Sequence, residues 1–64
     1  MYISRYLTVD SEGVVYDWSN FQSAYNYCIK LSNDNMFSTF IDTEQHIMIG
    51  HIDALIAYKE NIQP

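Results

Sequence analysis

Eight carboxylates, three lysines and arginines and two histidines on 64 residues give a formal charge of −5 and a pI near 4.4. A chain this short forms one domain, residues 1–64, with an expected radius of gyration of roughly 11 Å, which leaves no room for a deep substrate cleft. The few cations exclude a basic patch for nucleic acid, one cysteine excludes an internal disulfide, and no apolar stretch approaches the ~18 residues of a membrane span.

Two β-strands joined by a tight turn are predicted at the start of the chain. Residues 2–9 and 14–18 are rich in β-branched and aromatic side chains that alternate between two sides. Residues 10–13, Asp-Ser-Glu-Gly, are typical of a turn, because Asp and Ser bond local backbone groups and Gly13 tolerates a positive φ. The pattern predicts an antiparallel hairpin.

An amphipathic helix is predicted after the hairpin. Ser19 is the expected N-cap and Gln22 its capping-box partner, which reaches back to the Ser19 amide. The polar run 32–35 is expected to end the helix, with Asn33 in a left-handed conformation. The apolar stripe at helical spacing consists of Phe21, Ala24, Tyr25, Cys28 and Ile29.

The second half of the chain is predicted to add two strands and a short helix. Residues 36–42 and 46–49 have strand composition and are separated by a turn at 43–45. Residues 51–62 fit both helical spacing and strand alternation, and a short helix is favoured. The order β-β-α-β-β-α predicts an α+β fold, in which a small antiparallel sheet of about four strands has one helix packed across one face and a short C-terminal helix.

Catalytic chemistry is not expected. Cys28 lies on the apolar stripe of the helix, where packing explains it better than a nucleophilic role with His46 or His51 as base. No Gly-x-Ser-x-Gly turn is present, and two glycines cannot form a phosphate-binding loop. The sequence therefore predicts a non-enzymatic protein without a cofactor.

A metal site is the weaker alternative. If the chain stayed extended, Asp42, Glu44 and His46 would project on one face, with His51 and Asp53 nearby. The residues between Asp42 and His46 are a predicted turn, however, and the spacing matches no established metal signature. No metal ligand is assigned, and a minimal metal-binding protein stays an alternative.

Aromatic and acidic side chains indicate a surface for a protein partner. One helix covers only one face of a small sheet, so aromatics on the other face must be exposed, covered by the C-terminal segment or buried in an interface. The acids gather at the two predicted hairpin tips, where they suit a basic partner. Cross-strand pairing and ordinary solubility explain the same residues singly. The residues predicted to contact a partner are Tyr2, Tyr6, Asp10, Glu12, Tyr16, Trp18, Asp42 and Glu44.

A small protein-interaction module is the predicted function. In general character the short, acidic, aromatic-rich chain resembles the small accessory proteins that phages encode, although no specific motif carries this resemblance. It implies an inhibitor or modulator that binds a host or defence protein at a basic, nucleic-acid-binding groove, without contacting nucleic acid or membrane itself. Met1 to Arg5 lack the order of a secretory signal, so a cytoplasmic location is expected. A homo-oligomer with a small-ligand site at its interface is the other alternative.

Overall fold

The computed structural model describes residues 4–62, so Tyr2 lies outside the described residues. In chain order the elements are β1 (Tyr6–Val9), β2 (Val15–Trp18), α1 (Phe21–Asn33), β3 (Thr39–Asp42), β4 (Ile47–Ile49) and α2 (Ile52–Ile62). The predicted α+β fold and its element order are confirmed, and the ambiguous C-terminal segment is helical. Within residues 4–62, neither helix has the length and apolar character needed to cross a bilayer.

The four strands form one antiparallel sheet in the order β2-β1-β3-β4. Tyr6 lies opposite both Trp18 and Asp42, and directly opposed residues project on the same face. Both helices pack on that face, which we call the helix-covered face; it carries Tyr6, Thr8, Tyr16, Trp18, Phe40, Asp42, Ile47 and Ile49. The opposite, open face carries Leu7, Val9, Val15, Asp17, Thr39, Ile41 and Met48.

Helix α1 begins one residue later than the sequence indicates. The N-cap is Asn20, whose side-chain oxygen accepts a hydrogen bond from the Ser23 backbone N–H at 2.8 Å. The predicted capping box of Ser19 and Gln22 is therefore wrong. The Gln22 side chain instead donates to Asn26, one turn further along α1, at 2.8 Å.

The end of α1 also differs, and it shortens the following strand. Asn33 is still helical, and the left-handed residue is Asn35, with φ of 62°. The N–H groups of Asp34 and Met36 both bond the carbonyl of Leu31, which satisfies the last turn. Since Met36 closes the helix, the third strand begins at Thr39 and not at the predicted position 36.

The core lies between the helix-covered face and the two helices. Ala24, Cys28, Phe40 and Leu55 are fully buried there. Rings from β1, α1, β3 and α2 meet at centroid distances of 5.5–6.1 Å, with edge-to-face and tilted geometries that favour aromatic contacts. The shortest dimension of the molecule is 17 Å and its radius of gyration is 11.0 Å, as expected for two layers of this length.

Candidate functional site

Asp42, at the end of β3, is a buried hydrogen-bond centre. Its fully buried carboxylate accepts bonds from Nε and Nη2 of Arg5 at 3.0 and 3.1 Å, and from the Tyr58 hydroxyl at 2.6 Å. The backbone N–H groups of Glu44 and Gln45 donate to the same carboxylate at 3.1 and 3.2 Å. The expectation that Asp42 lies exposed at a hairpin tip is therefore corrected, because its oxygens hold the strand end, the turn and α2 together.

The pKa values of this group fit a structural role. Burial acts to raise the pKa of Asp42, but hydrogen bonds from Arg5, Tyr58 and the Gln45 amide outweigh it and lower the pKa to about 2. Burial and the Asp42 hydrogen bond raise the pKa of Tyr58 to about 12. The hydrogen bond to Asp42 likewise raises the pKa of Arg5. None of these groups changes charge near neutral pH, so they are poorly suited to acid–base catalysis.

The residues considered as metal ligands in the alternative interpretation of the sequence do not converge. The Asp42 oxygens are already occupied, and Glu44 pairs at its exposed position with Nη1 of Arg5 at 3.2 Å. His46 is exposed in the turn before β4, with φ of 57°, and His51 is exposed after β4. Among residues 4–62, no three His, Cys, Asp or Glu side chains form a group that suits a metal ion.

Cys28 is part of the core. Its side chain is fully buried on α1, and burial raises the pKa of the thiol to about 11. Only a very small fraction is thiolate at neutral pH, which is the opposite of what a nucleophile needs. The packing interpretation of this residue agrees with its environment.

Three aromatic side chains form a cluster at the β2 edge of the helix-covered face, which we call the aromatic edge. Tyr16, Trp18 and Tyr27 have ring centroids 5.1–6.4 Å apart, and Trp18 Nε1 donates to the Thr8 hydroxyl at 3.0 Å. Tyr16 is 46% exposed and Trp18 is half-buried. Tyr6, also predicted to contact a partner, is only 9% exposed because it packs in the core, so it offers little surface.

The loop between β1 and β2, residues 10–13, is an ordered acidic loop. Oδ1 of Asp10 accepts hydrogen bonds from the N–H groups of Glu12 and Val14, both at 2.9 Å. Gly13 has φ of 85°, a conformation that side chains disfavour, and its N–H bonds the Asp10 carbonyl at 3.0 Å. These bonds hold the loop in place while the Glu12 side chain extends into solvent.

A shallow pocket of about 230 Å³ lies between the acidic loop and the C-terminal end of α1. It is called the end pocket here, and its lining consists of Asp10, Ser11, Glu12, Tyr27, Leu31, Met36 and Phe37. Burial, and to a smaller extent the neighbouring Tyr16, raises the pKa of Tyr27, which stays a neutral phenol. A lining that combines two carboxylates with the apolar side chains of Leu31, Met36 and Phe37 suits a cation with an apolar stem.

The chain topology concentrates negative charge around the end pocket. Helix α1 runs back from the end of β2, so its C-terminus and its partial negative charge lie beside the acidic loop. Asp34 is the exposed C-cap residue of this helix end. Lys30, in the last turn of α1, offsets part of this charge.

The open face of the sheet is mostly aliphatic, with exposed Asp17 among its residues. The expected aromatic surface on the uncovered face is wrong, because Tyr6, Tyr16 and Trp18 all lie on the helix-covered face. Val15 is 56% exposed and Met48 is 71% exposed, while Leu7, Val9 and Ile41 between them are half-buried. The alternation of apolar residues in β1 and β2 is visible in the sequence. It does not reveal which side the helices cover, since both sides carry apolar residues.

The structure brings together some of the predicted contact residues and separates others. Asp10 and Glu12 line the end pocket. The rings of Tyr16 and Trp18 contact the ring of Tyr27, which is also in the lining. The Asp42 turn, including exposed Glu44, lies at the opposite end of the sheet because β1 and β3 are antiparallel. Comparison with protein-family models, curated proteins and solved structures finds no match for this chain.

Proposed function

We propose that this chain is a non-enzymatic protein-binding module that docks a basic partner surface through the end pocket and the adjoining aromatic edge. The observation that carries the proposal is the end pocket itself, whose lining combines the carboxylates of Asp10 and Glu12 with apolar and aromatic side chains. Exposed tyrosine within a polar surround is typical of protein interfaces. The docking surface thus includes four of the residues singled out in the sequence: Asp10, Glu12, Tyr16 and Trp18.

Charge distribution supports a basic partner. The formal charge is −5, and two of the three cations are engaged away from the end pocket. Arg5 pairs with Asp42, and Nζ of Lys59 lies 4.8 Å over the Tyr25 ring. Complementary charge accelerates association and selects against acidic partners. A domain bound over a basic groove would block the polyanion that the groove normally holds, which is how an inhibitor or modulator of a nucleic-acid-handling protein would act.

The experiment uses crosslinking followed by a charge test. A photo-reactive amino acid in place of Tyr16 captures the partner in cells that make the chain, and the purified pair is then titrated. We expect Glu12→Lys to weaken binding about tenfold. The charge reversal removes one attraction to the basic partner and adds one repulsion, each of the strength usual for a solvent-exposed charge pair. Glu60→Lys is the matched control, because Glu60 is exposed in the last turn of α2 at the far end of the molecule.

Salt provides the second measurement. Raising the salt concentration from about 50 to 500 mM shortens the Debye length from roughly 13 to 4 Å and is expected to weaken the wild-type complex at least several-fold. Equal losses with Glu12→Lys and Glu60→Lys, or an affinity that salt leaves unchanged, would contradict docking by the end pocket.

Self-association through the open face is the second candidate. Its most exposed apolar side chains are Val15 and Met48, although the exposed carboxylate of Asp17 lies on the same face. Four strands at ~4.8 Å spacing and four residues at ~3.3 Å rise span only about 250 Å², far below the ~800 Å² per partner of a stable interface. We therefore expect only weak dimers. The small-ligand site predicted for a homo-oligomer would then lie between the two subunits of the dimer.

Sedimentation velocity over a wide concentration range tests this candidate. Association that Met48→Lys abolishes and Ile56→Lys preserves would support it, because Ile56 is exposed on α2 and lies off the open face. A monomer at every concentration would exclude self-association.

A further inference from the structure

We propose that the end pocket binds one arginine side chain of the basic partner. This inference rests on the proposed function and specifies the group that the pocket recognises. Three observations bear on it: the size of the pocket, the unused carboxylate oxygens in its lining and the aromatic rings there.

The size of the end pocket favours a single side chain. At about 230 Å³ it lies below the ~300–1,000 Å³ typical of sites for drug-sized ligands. Its lining includes the apolar side chains of Leu31, Met36 and Phe37 and the ring of Tyr27. An arginine buries a three-carbon stem against such side chains and keeps its charged head near the carboxylates.

Some carboxylate oxygens at the end pocket accept no hydrogen bond from residues 4–62. Among residues 4–62, no hydrogen bond or ion pair involves the Glu12 carboxylate. Of the two Asp10 carboxylate oxygens, the bonds within the acidic loop use only Oδ1. The Leu31 and Ser32 carbonyls at the end of α1 are already bonded to backbone N–H groups. Recognition of the cation therefore falls to the two carboxylates.

Arginine suits this arrangement better than lysine. Its guanidinium is planar, weakly hydrated and able to bond two carboxylate oxygens while stacking on an aromatic face. Tyr27 and Phe37 are the aromatic residues of the pocket lining, and the neutral Tyr27 phenol carries no competing charge. A lysine ammonium is more strongly hydrated and gains less from the rings.

The inference is tested by NMR titration of the isotope-labelled full chain with N-acetyl-arginine methylamide. The citrulline analogue is the matched probe, because it keeps the shape of arginine and lacks its charge; lysine and norleucine analogues complete the set. We expect the arginine compound to shift the amide signals of residues 10–13, 36 and 37, with a dissociation constant of roughly 10 mM for a ligand this small. Citrulline is expected to bind at least about fivefold more weakly.

Protein variants provide the second arm. Glu12→Gln is expected to weaken arginine binding about threefold without changing the melting temperature, since its carboxylate makes no described bond, and Glu60→Gln to leave binding unchanged. Equal binding of arginine and citrulline, or signal shifts confined to other residues, would overturn the inference. So would the absence of any shift at about 50 mM.

The two proposals fail differently. If the arginine compound binds here but the crosslinked partner is insensitive to Glu12→Lys, the docking mode is wrong and the pocket assignment stands. If the partner depends on Glu12 while arginine and citrulline bind alike, the pocket assignment is overturned and the docking mode stands.

Discussion

Replacement of Asp42 with asparagine keeps the shape of the side chain and removes its charge from the centre of the Arg5–Tyr58 network. The amide oxygen can still accept the N–H groups of Glu44 and Gln45, which bond Oδ1. The amide nitrogen then occupies the place of Oδ2, where Nη2 of Arg5 at 3.1 Å is also a donor. We expect this substitution to lower the free energy of unfolding substantially at neutral pH.

The magnitude follows from the pKa of Asp42. A fall from 3.8 to about 2 corresponds to about 2 kcal/mol of stability, with solvent around the partly exposed Arg5 screening some of it. The lost hydrogen bond and the donor–donor contact add about 1 kcal/mol. The total of about 3 kcal/mol is a large share of the roughly 3–10 kcal/mol expected for 64 residues.

Urea unfolding, followed by far-ultraviolet circular dichroism and by Trp18 fluorescence, measures this difference at pH 7 and near pH 2. The folded pKa of Asp42 is depressed, so its contribution is present above the unfolded value of 3.8 and declines as pH falls through about 2. The wild type therefore loses stability between roughly pH 4.5 and 2 that the variant does not lose, and the gap between them narrows to about 1 kcal/mol. Other carboxylates titrate in both proteins and cancel.

A gap below about 1 kcal/mol at pH 7, or one that persists undiminished at low pH, would refute the assignment of Asp42 as the charged centre. If the asparagine variant does not fold, Tyr58→Phe provides the alternative test of the same network. It removes the 2.6 Å bond to Asp42 and keeps the ring contacts with Phe21 and Phe40. We expect a loss of about 1.5–3 kcal/mol, the range for a hydrogen bond to a charged group.

Other substitutions test the local geometry. Asn20→Ala is expected to lower the free energy of unfolding in urea by about 1 kcal/mol and Ser19→Ala by less than about 0.5 kcal/mol, because Asn20 is the N-cap. A larger loss with Ser19→Ala would show that Ser19 is the N-cap. The Cys28 thiol, with its pKa raised by burial to about 11, should react with iodoacetamide far more slowly in buffer than in urea, and equal rates would contradict its burial. Gly13→Ala should lower stability by about 1 kcal/mol because φ is 85°, and an unchanged melting temperature would show that the loop adopts another conformation.

Local patterns in the sequence were sufficient to predict the element order and the fold class. The turn at 10–13, the helical stripe through Ala24 and Cys28 and the turn at 43–45 depend on neighbours within a few residues. Turn chemistry and side-chain periodicity act at that range, so they can be recognised without knowledge of the rest of the chain. The acidic residues of the turn at 10–13 can likewise be recognised without knowledge of the rest of the chain.

The roles of individual residues depended on contacts between distant parts of the chain. Asp42 looks like a loop acid in the sequence, but Arg5, 37 positions away, and Tyr58, 16 positions away, make it a buried centre. The covered side of the sheet and the end pocket depend on where the helices dock against the strands. Docking is determined by the packing of side chains across the whole core, and that information is distributed over the chain and not contained in any local pattern. The excess negative charge is therefore evident from composition alone, whereas its concentration beside an apolar pocket results from tertiary folding.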